Sequence, residues 1–141
     1  MSDPYKTISS AVAAWLSFFE NMTVDTNHVT DGSDKYGLFK SPNRNVKNFL
    51  NGSYEITEYY QFFARQASVS EEDRKDSDAW LEELAYWADD FSFSYEYPEL
   101  DGGRRINMIE LTGTPYPMEA DSTDTLYQMA LAITYTRERE V

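Results

Sequence analysis

Cysteine is absent from the 141 residues. That excludes disulfides, thiolate metal sites and cysteine nucleophiles. Histidine occurs once, as His28 beside Asp25, Asn27 and Asp31. A single histidine at a strand end is expected to be ordinary surface, although the residue type titrates near neutral pH. Basic side chains are scarce, with 12 Lys and Arg against 25 Asp and Glu and a formal charge of −13. Duplex binding needs clustered cations to displace counterions from phosphates, so no nucleic-acid affinity is expected. The same sign argues against anionic lipid. No apolar run reaches the length of about 18 residues that a spanning helix needs, so no membrane partner is expected. The N-terminal MSDPYKTISSAVAAWLSFFE lacks a positive n-region and a cleavage-site pattern, and no signal peptide is expected.

Catalytic signatures are equally sparse. No serine elbow, Gly-rich phosphate loop or metalloprotease helix pattern occurs. The stretch from Asp31 to Pro42 superficially resembles a calcium loop, but Lys35 holds its fifth position, Tyr36 replaces the sixth-position glycine, and Pro42 stands where glutamate should be. Paired carboxylates such as Glu82-Glu83 and Asp89-Asp90 sit on neighbouring helical positions, which do not converge on one site. No catalytic residue, cofactor or metal is therefore expected. Aromatics mixed with acids leave one alternative, a small cytosolic acidic enzyme or carbohydrate-binding module.

What the chain does contain is core. Hydrophobic residues make up 41% and aromatics 16%, enough for one domain over residues 1–141. A first helix is expected from Asp3 as cap and Pro4 in the first turn, with Ile8, Val12, Trp15, Leu16 and Phe19 on one stripe. Residues 22–29 suggest a short strand. TDGSDKYGLFKSPNRN suggests a long loop with an extended stretch at 36–40. The segment YEITEYYQFFARQA, residues 54–67, splits by parity. Tyr54, Ile56, Tyr60, Phe62 and Ala64 form a core face interrupted by Glu58, and the opposite face is amphipathic. Ser70 and Asp73 form a capping-box start for a helix whose stripe is Trp80, Leu84, Trp87 and Phe91, widened by Leu81 and Ala88. Strands are expected over 105–112 and 125–137, with GTPYPMEADSTD as a connection. The last strand alternates Tyr127, Met129, Leu131, Ile133 and Tyr135 with smaller residues. The fold class is α+β: a single domain with a mixed or antiparallel sheet of about four to five strands and two helices on one face. Trp15, Phe19, Ile56, Phe62, Trp80, Leu84, Trp87, Leu131 and Ile133 are expected in one core, with truncation of Trp80 or Trp87 costing roughly 3–5 kcal/mol.

Charge is unevenly spread. Residues 68–101 carry twelve acidic and two basic side chains, whereas 31–50 carry Lys35, Lys40, Arg44 and Lys47 against Asp31 and Asp34. Solvated helix surface explains such asymmetry, and so does an assembly surface.

Four segments together carry a resemblance: YKTISSAVAAWL, then YGLFKSPNRNVKNFLNGSYEITEYYQFFARQAS, then the acidic WLEELAYWADD, and finally INMIELTGTPYPMEADSTDTLYQMALAITYTRE. In this order of elements the chain resembles the tail terminator, or tail-completion, proteins encoded by siphophages of Gram-positive hosts, often labelled minor capsid proteins. The resemblance spans almost the whole chain. It implies a structural virion protein without enzymatic activity, made in the bacterial cytoplasm and located at the head–tail interface. Such proteins form a ring, commonly a hexamer, that ends growth of the tail tube and docks on the head connector. The implied partners are further copies of the chain, the tail tube protein and the connector or stopper protein, with DNA passing through without specific binding. In that setting assembly contacts are expected on loops, at Tyr36, Phe39, Arg44 and Lys47 together with Arg104, Arg105, Tyr116 and Met118. The acidic start of the second helix, Glu71, Glu72 and Asp73, is expected to face the channel and repel phosphate.

Overall fold

The computed structural model describes residues 4–20, 22–26, 35–120 and 124–138. Asp3 and His28 lie outside them. The first helix, α1 (Ile8–Ser17), begins later than its sequence suggests. Thr7 is its cap, and the Thr7 hydroxyl accepts a hydrogen bond from the Ser10 amide at 3.1 Å. Pro4 lies ahead of the helix because the chain there is used differently: Tyr5 is extended and bridges Leu100 in parallel. The capped helix then presents Ile8, Ala11, Val12, Trp15 and Leu16 to the core.

Strands β1 (Val24–Thr26), β2 (Lys35–Asn48) and β3 (Tyr54–Ala67) precede the long helix α2 (Glu71–Ser94), and β4 (Arg104–Leu111), β5 (Tyr116–Ala120) and β6 (Asp124–Arg137) follow it. The fold is α+β with one sheet of six strands in the order β1-β2-β3-β6-β4, in which β5 also pairs with β6. Among the described strand pairs, β1 and β2 run parallel and the others antiparallel. The strand count exceeds the expected four to five for two local reasons. The extended stretch expected at 36–40 within a long loop is part of a strand that runs on to Asn48, and Ser41-Pro42-Asn43 is absorbed in a bulge between Lys40 and Arg44. Pro117 belongs to the edge strand β5, where a missing amide donor is tolerated. β4 and β5 share one side of β6, against Leu131–Arg137 and Thr125–Gln128, and the Thr112 amide bonds the Ala130 carbonyl at 3.0 Å between them.

Burial alternates without exception along β3. Its core face, with Met129, Leu131, Ile133 and Tyr135 of β6, packs with both helices in one cluster, and Tyr127 is buried as well. At α2 the capping box forms as its residues predict: Asp73 N donates to Ser70 Oγ at 3.0 Å and Ser70 N to the Asp73 carboxylate at 3.3 Å. The helix buries Ser77, Leu81, Leu84, Ala88 and Phe91. Trp80 and Trp87, expected at its centre, sit with Phe19 at the rim and are only partly buried. Leu84 and Phe91 are buried with Leu81 and Ala88 from the widened side of the stripe, and the two indoles form its edge. The fully buried indole is Trp15, whose ring centroid lies 4.8 Å from that of Trp87 and 5.8 Å from that of Phe91.

The one acid on the β3 core face is kept. Glu58 is 7% exposed, accepts the Tyr135 hydroxyl at 2.5 Å and pairs with the Lys40 ammonium at 2.9 Å. Burial and this contact push the Tyr135 phenol well above its ordinary value.

Candidate functional site

The eight expected contact residues lie on strands. Tyr36, Phe39, Arg44 and Lys47 belong to β2, Arg104 and Arg105 to β4, Tyr116 and Met118 to β5. Two of them are spoken for by the fold. Tyr36 stands opposite Ala64 on the core face, stacks on Phe62 and Trp80 at 6.1 and 5.8 Å, and accepts from Gln66 Nε2 at 3.5 Å. It is core, because strand parity turns it inward. Arg104 donates to the Asp101 carboxylate at 2.8 Å and the Lys6 carbonyl at 2.7 Å, fastening the N-terminal segment to β4. Arg44, Lys47, Arg105, Tyr116 and Met118 are exposed. Phe39 is half-buried on the sheet face away from the helices, edge-on to Phe63 at 5.1 Å. These two rings, with Ser41, Pro42, Gln61 and Leu126, line a shallow groove of about 550 Å³.

Topology sorts these side chains onto two opposite margins of the sheet. β2 is covered on its outer side by β1 only at Tyr36–Leu38, and among the described residues no strand pairs with Ser41–Val46 there. β2 itself carries Lys35, Lys40, Arg44 and Lys47 and no acid, and Asp25 lies on the flanking β1. The opposite margin is β4 and β5, with Arg105, Tyr116 and Met118. Tyr116 is anchored there by its hydroxyl, which donates to Gln128 Oε1 at 2.8 Å.

The acids lie on α2. Glu71 and Glu72 are exposed, and Glu71 pairs with Arg74 at 2.8 Å. The Asp73 carboxylate is occupied in the capping box. Further along, Asp78, Glu82, Tyr86 and Asp89 line a groove of about 570 Å³ closed on its other side by Gly113, Thr114 and Pro115. The Tyr86 hydroxyl donates to Glu82 at 3.0 Å, and that bond raises its pKa. Among the described residues no group of three or more His, Cys, Asp or Glu side chains is placed to hold a metal ion.

Two exposed apolar features escape sequence reasoning. One is the tip of the β2–β3 hairpin, Phe49 and Leu50. The other is a crevice of about 390 Å³ lined by Phe18, Trp87, Phe91, Tyr95 and Glu96, between the C-terminal ends of the helices. The pair Phe49-Leu50 before the Asn51-Gly52 turn was a readable signal for the first. The crevice exists only once α1 and α2 are packed. No family model matches the chain, and no curated protein matches it with significance.

Proposed function

We propose that the chain is a structural virion protein that forms a ring, a hexamer by resemblance, at the head-proximal end of a phage tail tube. There it ends tube growth and joins the tail to the head connector, with DNA passing through and no chemistry performed. The observation that carries this reading is the placement of exposed Arg44 and Lys47 on one margin of a single sheet and of Arg105, Tyr116 and Met118 on the other. Two different margins on one domain suit head-to-tail association, which closes into a ring when the rotation allows. An incompletely covered strand edge invites main-chain pairing with a neighbour. Arginine and tyrosine suit such contacts because they combine apolar area with directed hydrogen bonds.

The test is made in phage particles. Deleting the protein should give tails of uncontrolled length that do not join heads, and labelled protein should be found at the head–tail junction. The paired charge reversals Arg44→Glu and Arg105→Glu should leave the fold intact and abolish tail completion. Normal particle yield without the protein would overturn the assignment. The acidic groove at Asp78, Glu82, Tyr86 and Asp89 favours a second reading, a carbohydrate-binding module or small acidic enzyme. Saturable oligosaccharide binding that is lost in Tyr86→Ala would support that reading instead.

A further inference from the structure

The β2–β3 hairpin ends in a rigid apolar knob. The Phe49 amide donates to the Ser53 carbonyl at 2.9 Å, and Asn51 Oδ1 accepts from the Ser53 amide at 3.0 Å and its hydroxyl at 2.6 Å. Gly52 completes the turn at φ +93°, a conformation that side chains disfavour. Leu50 is fully exposed at the apex, Phe49 is exposed beside it, and the Lys47 ammonium lies 5.8 Å from the Phe49 ring centroid. A scattered surface leucine is ordinary. Two adjacent large apolar side chains on a hydrogen-bonded tip, with a cation at their base, form a shape ready to be buried.

The complementary shape lies between the helix ends. Phe18 stacks on Phe91 at 6.4 Å, Phe91 meets Tyr95 at 5.5 Å, and Trp87 closes the floor. Phe18 and Tyr95 are more than half exposed, and Glu96 supplies a carboxylate at the rim. The knob is apolar with a cation, and the crevice is aromatic with an anion.

We infer that the Phe49-Leu50 tip of one copy seats in the Phe18–Trp87–Phe91–Tyr95 crevice of a second copy, with Lys47 paired to Glu96. The contact deepens the ring proposed above and rests on it. Knob and socket are different surfaces of one chain, so each copy uses both and the contact propagates in one direction. Buried aromatic anchors supply the affinity, and the rim charge pair fixes orientation.

The absence of native cysteine makes the contact directly testable. A chain carrying Leu50→Cys and Phe18→Cys should form intermolecular disulfides under mild oxidation, identified by mass spectrometry as linked peptides containing positions 50 and 18. Linkage of position 50 to a cysteine at Val69, which is also exposed, should be at least about ten-fold weaker. Adding Lys47→Glu should lower the 50–18 yield about ten-fold, the scale of a lost ion pair worth about one decade of affinity. Adding Glu96→Lys to that chain should restore the yield, because the swapped charges again attract. Equal linkage to Val69→Cys, no linkage at all, or indifference to both charge reversals would overturn the contact. The ring itself is judged separately. If the protein occurs at the head–tail junction of particles but 50–18 linkage fails, only the contact is lost. If it is absent from particles, the ring fails whatever the cross-linking shows.

Discussion

Glu58 and Tyr135 should be worth keeping only as a pair. The carboxylate sits among apolar side chains at 7% exposure and the Tyr135 ring at 6%. Substituting Glu58→Leu removes the acceptor and leaves the Tyr135 hydroxyl buried without its partner, at a cost of about 1–3 kcal/mol. The Lys40 side chain is half exposed and returns to water, so its lost pairing adds no more than about 1 kcal/mol. Tyr135→Phe leaves a buried carboxylate short of one charge-assisted bond, a loss of about 1.5–3 kcal/mol. Substituting both at once leaves leucine against phenylalanine on a face already built from such residues, and the net loss should stay within about 1 kcal/mol.

The cycle therefore has to be strongly non-additive, with a coupling of at least about 1.5 kcal/mol. Urea unfolding followed by tryptophan fluorescence measures it, since Trp15, Trp80 and Trp87 all belong to the helix–sheet cluster or its rim. Each kcal/mol corresponds to a melting shift of about 3–4 °C for a chain of this length. If the double variant loses the sum of the two single losses within about 0.5 kcal/mol, the buried pair is not a unit and the reasoning fails.

Trp15→Ala should cost about 3–5 kcal/mol, and Trp80→Ala or Trp87→Ala clearly less, because Trp15 is fully buried and the other two line the rim. Equal denaturation midpoints for the three variants would refute that ranking. Alkaline pH should destabilise the fold. Burial raises the Tyr60, Tyr127 and Tyr135 phenols above 10.0, and the Glu58 contact raises Lys40 above 10.5. Stability from groups raised in this way is complete below their unfolded values and is lost as pH rises through the folded ones, so melting temperature should fall above about pH 10, less steeply in Tyr135→Phe. In an assembled ring, Glu71→Lys with Glu72→Lys should slow genome ejection or create DNA retention that salt relieves, if the start of α2 faces the channel. Asp73 is left intact there to spare the capping box, and normal ejection with no salt-sensitive retention would place these acids on the outer wall.

The parts of the fold legible in the sequence were those governed by a local period. β3 alternates cleanly in sequence and in burial, β6 alternates in sequence although Asp124, Gln128 and Ala132 on its second face are buried too, and the Ser70–Asp73 box marks the start of α2 to the residue. β2 was hidden because Ser41, Pro42 and Asn43 are turn formers, and only the pairing with β3 shows that a bulge absorbs them. Contacts expected on a loop over 31–47 therefore include Tyr36, although it lies in the extended stretch. Without a strand there is no parity, and parity is what sends Tyr36 inward; Arg44, opposite Glu58, and Lys47, opposite Glu55, lie on opposite faces of the exposed second half of β2. β5 was hidden by Pro117 in the same way. The crevice was illegible for a deeper reason, since Phe18 and Tyr95 become neighbours of Phe91 only through helix packing.

Charge separation in this molecule follows from topology. β2 carries four basic residues and no acid, and α2 carries nine acids and two bases. The strand order puts β2 beside the short β1 at one side of the sheet, whereas α2 packs on β3 and β4. Lys40 reaches inward to Glu58, whereas Arg44 and Lys47 are exposed on the second half of β2, and α2 holds nine of the 25 acids. Solvent weakens attraction over such separations within one copy, because water and salt screen exposed charges beyond about 10 Å. Across a close contact between copies the same charges can approach, lose water and choose one orientation over its reverse. In the proposed ring, a head-to-tail arrangement would give each copy both an acidic and a basic surface to share, so the segregation that does little for the isolated fold would have a physical use there.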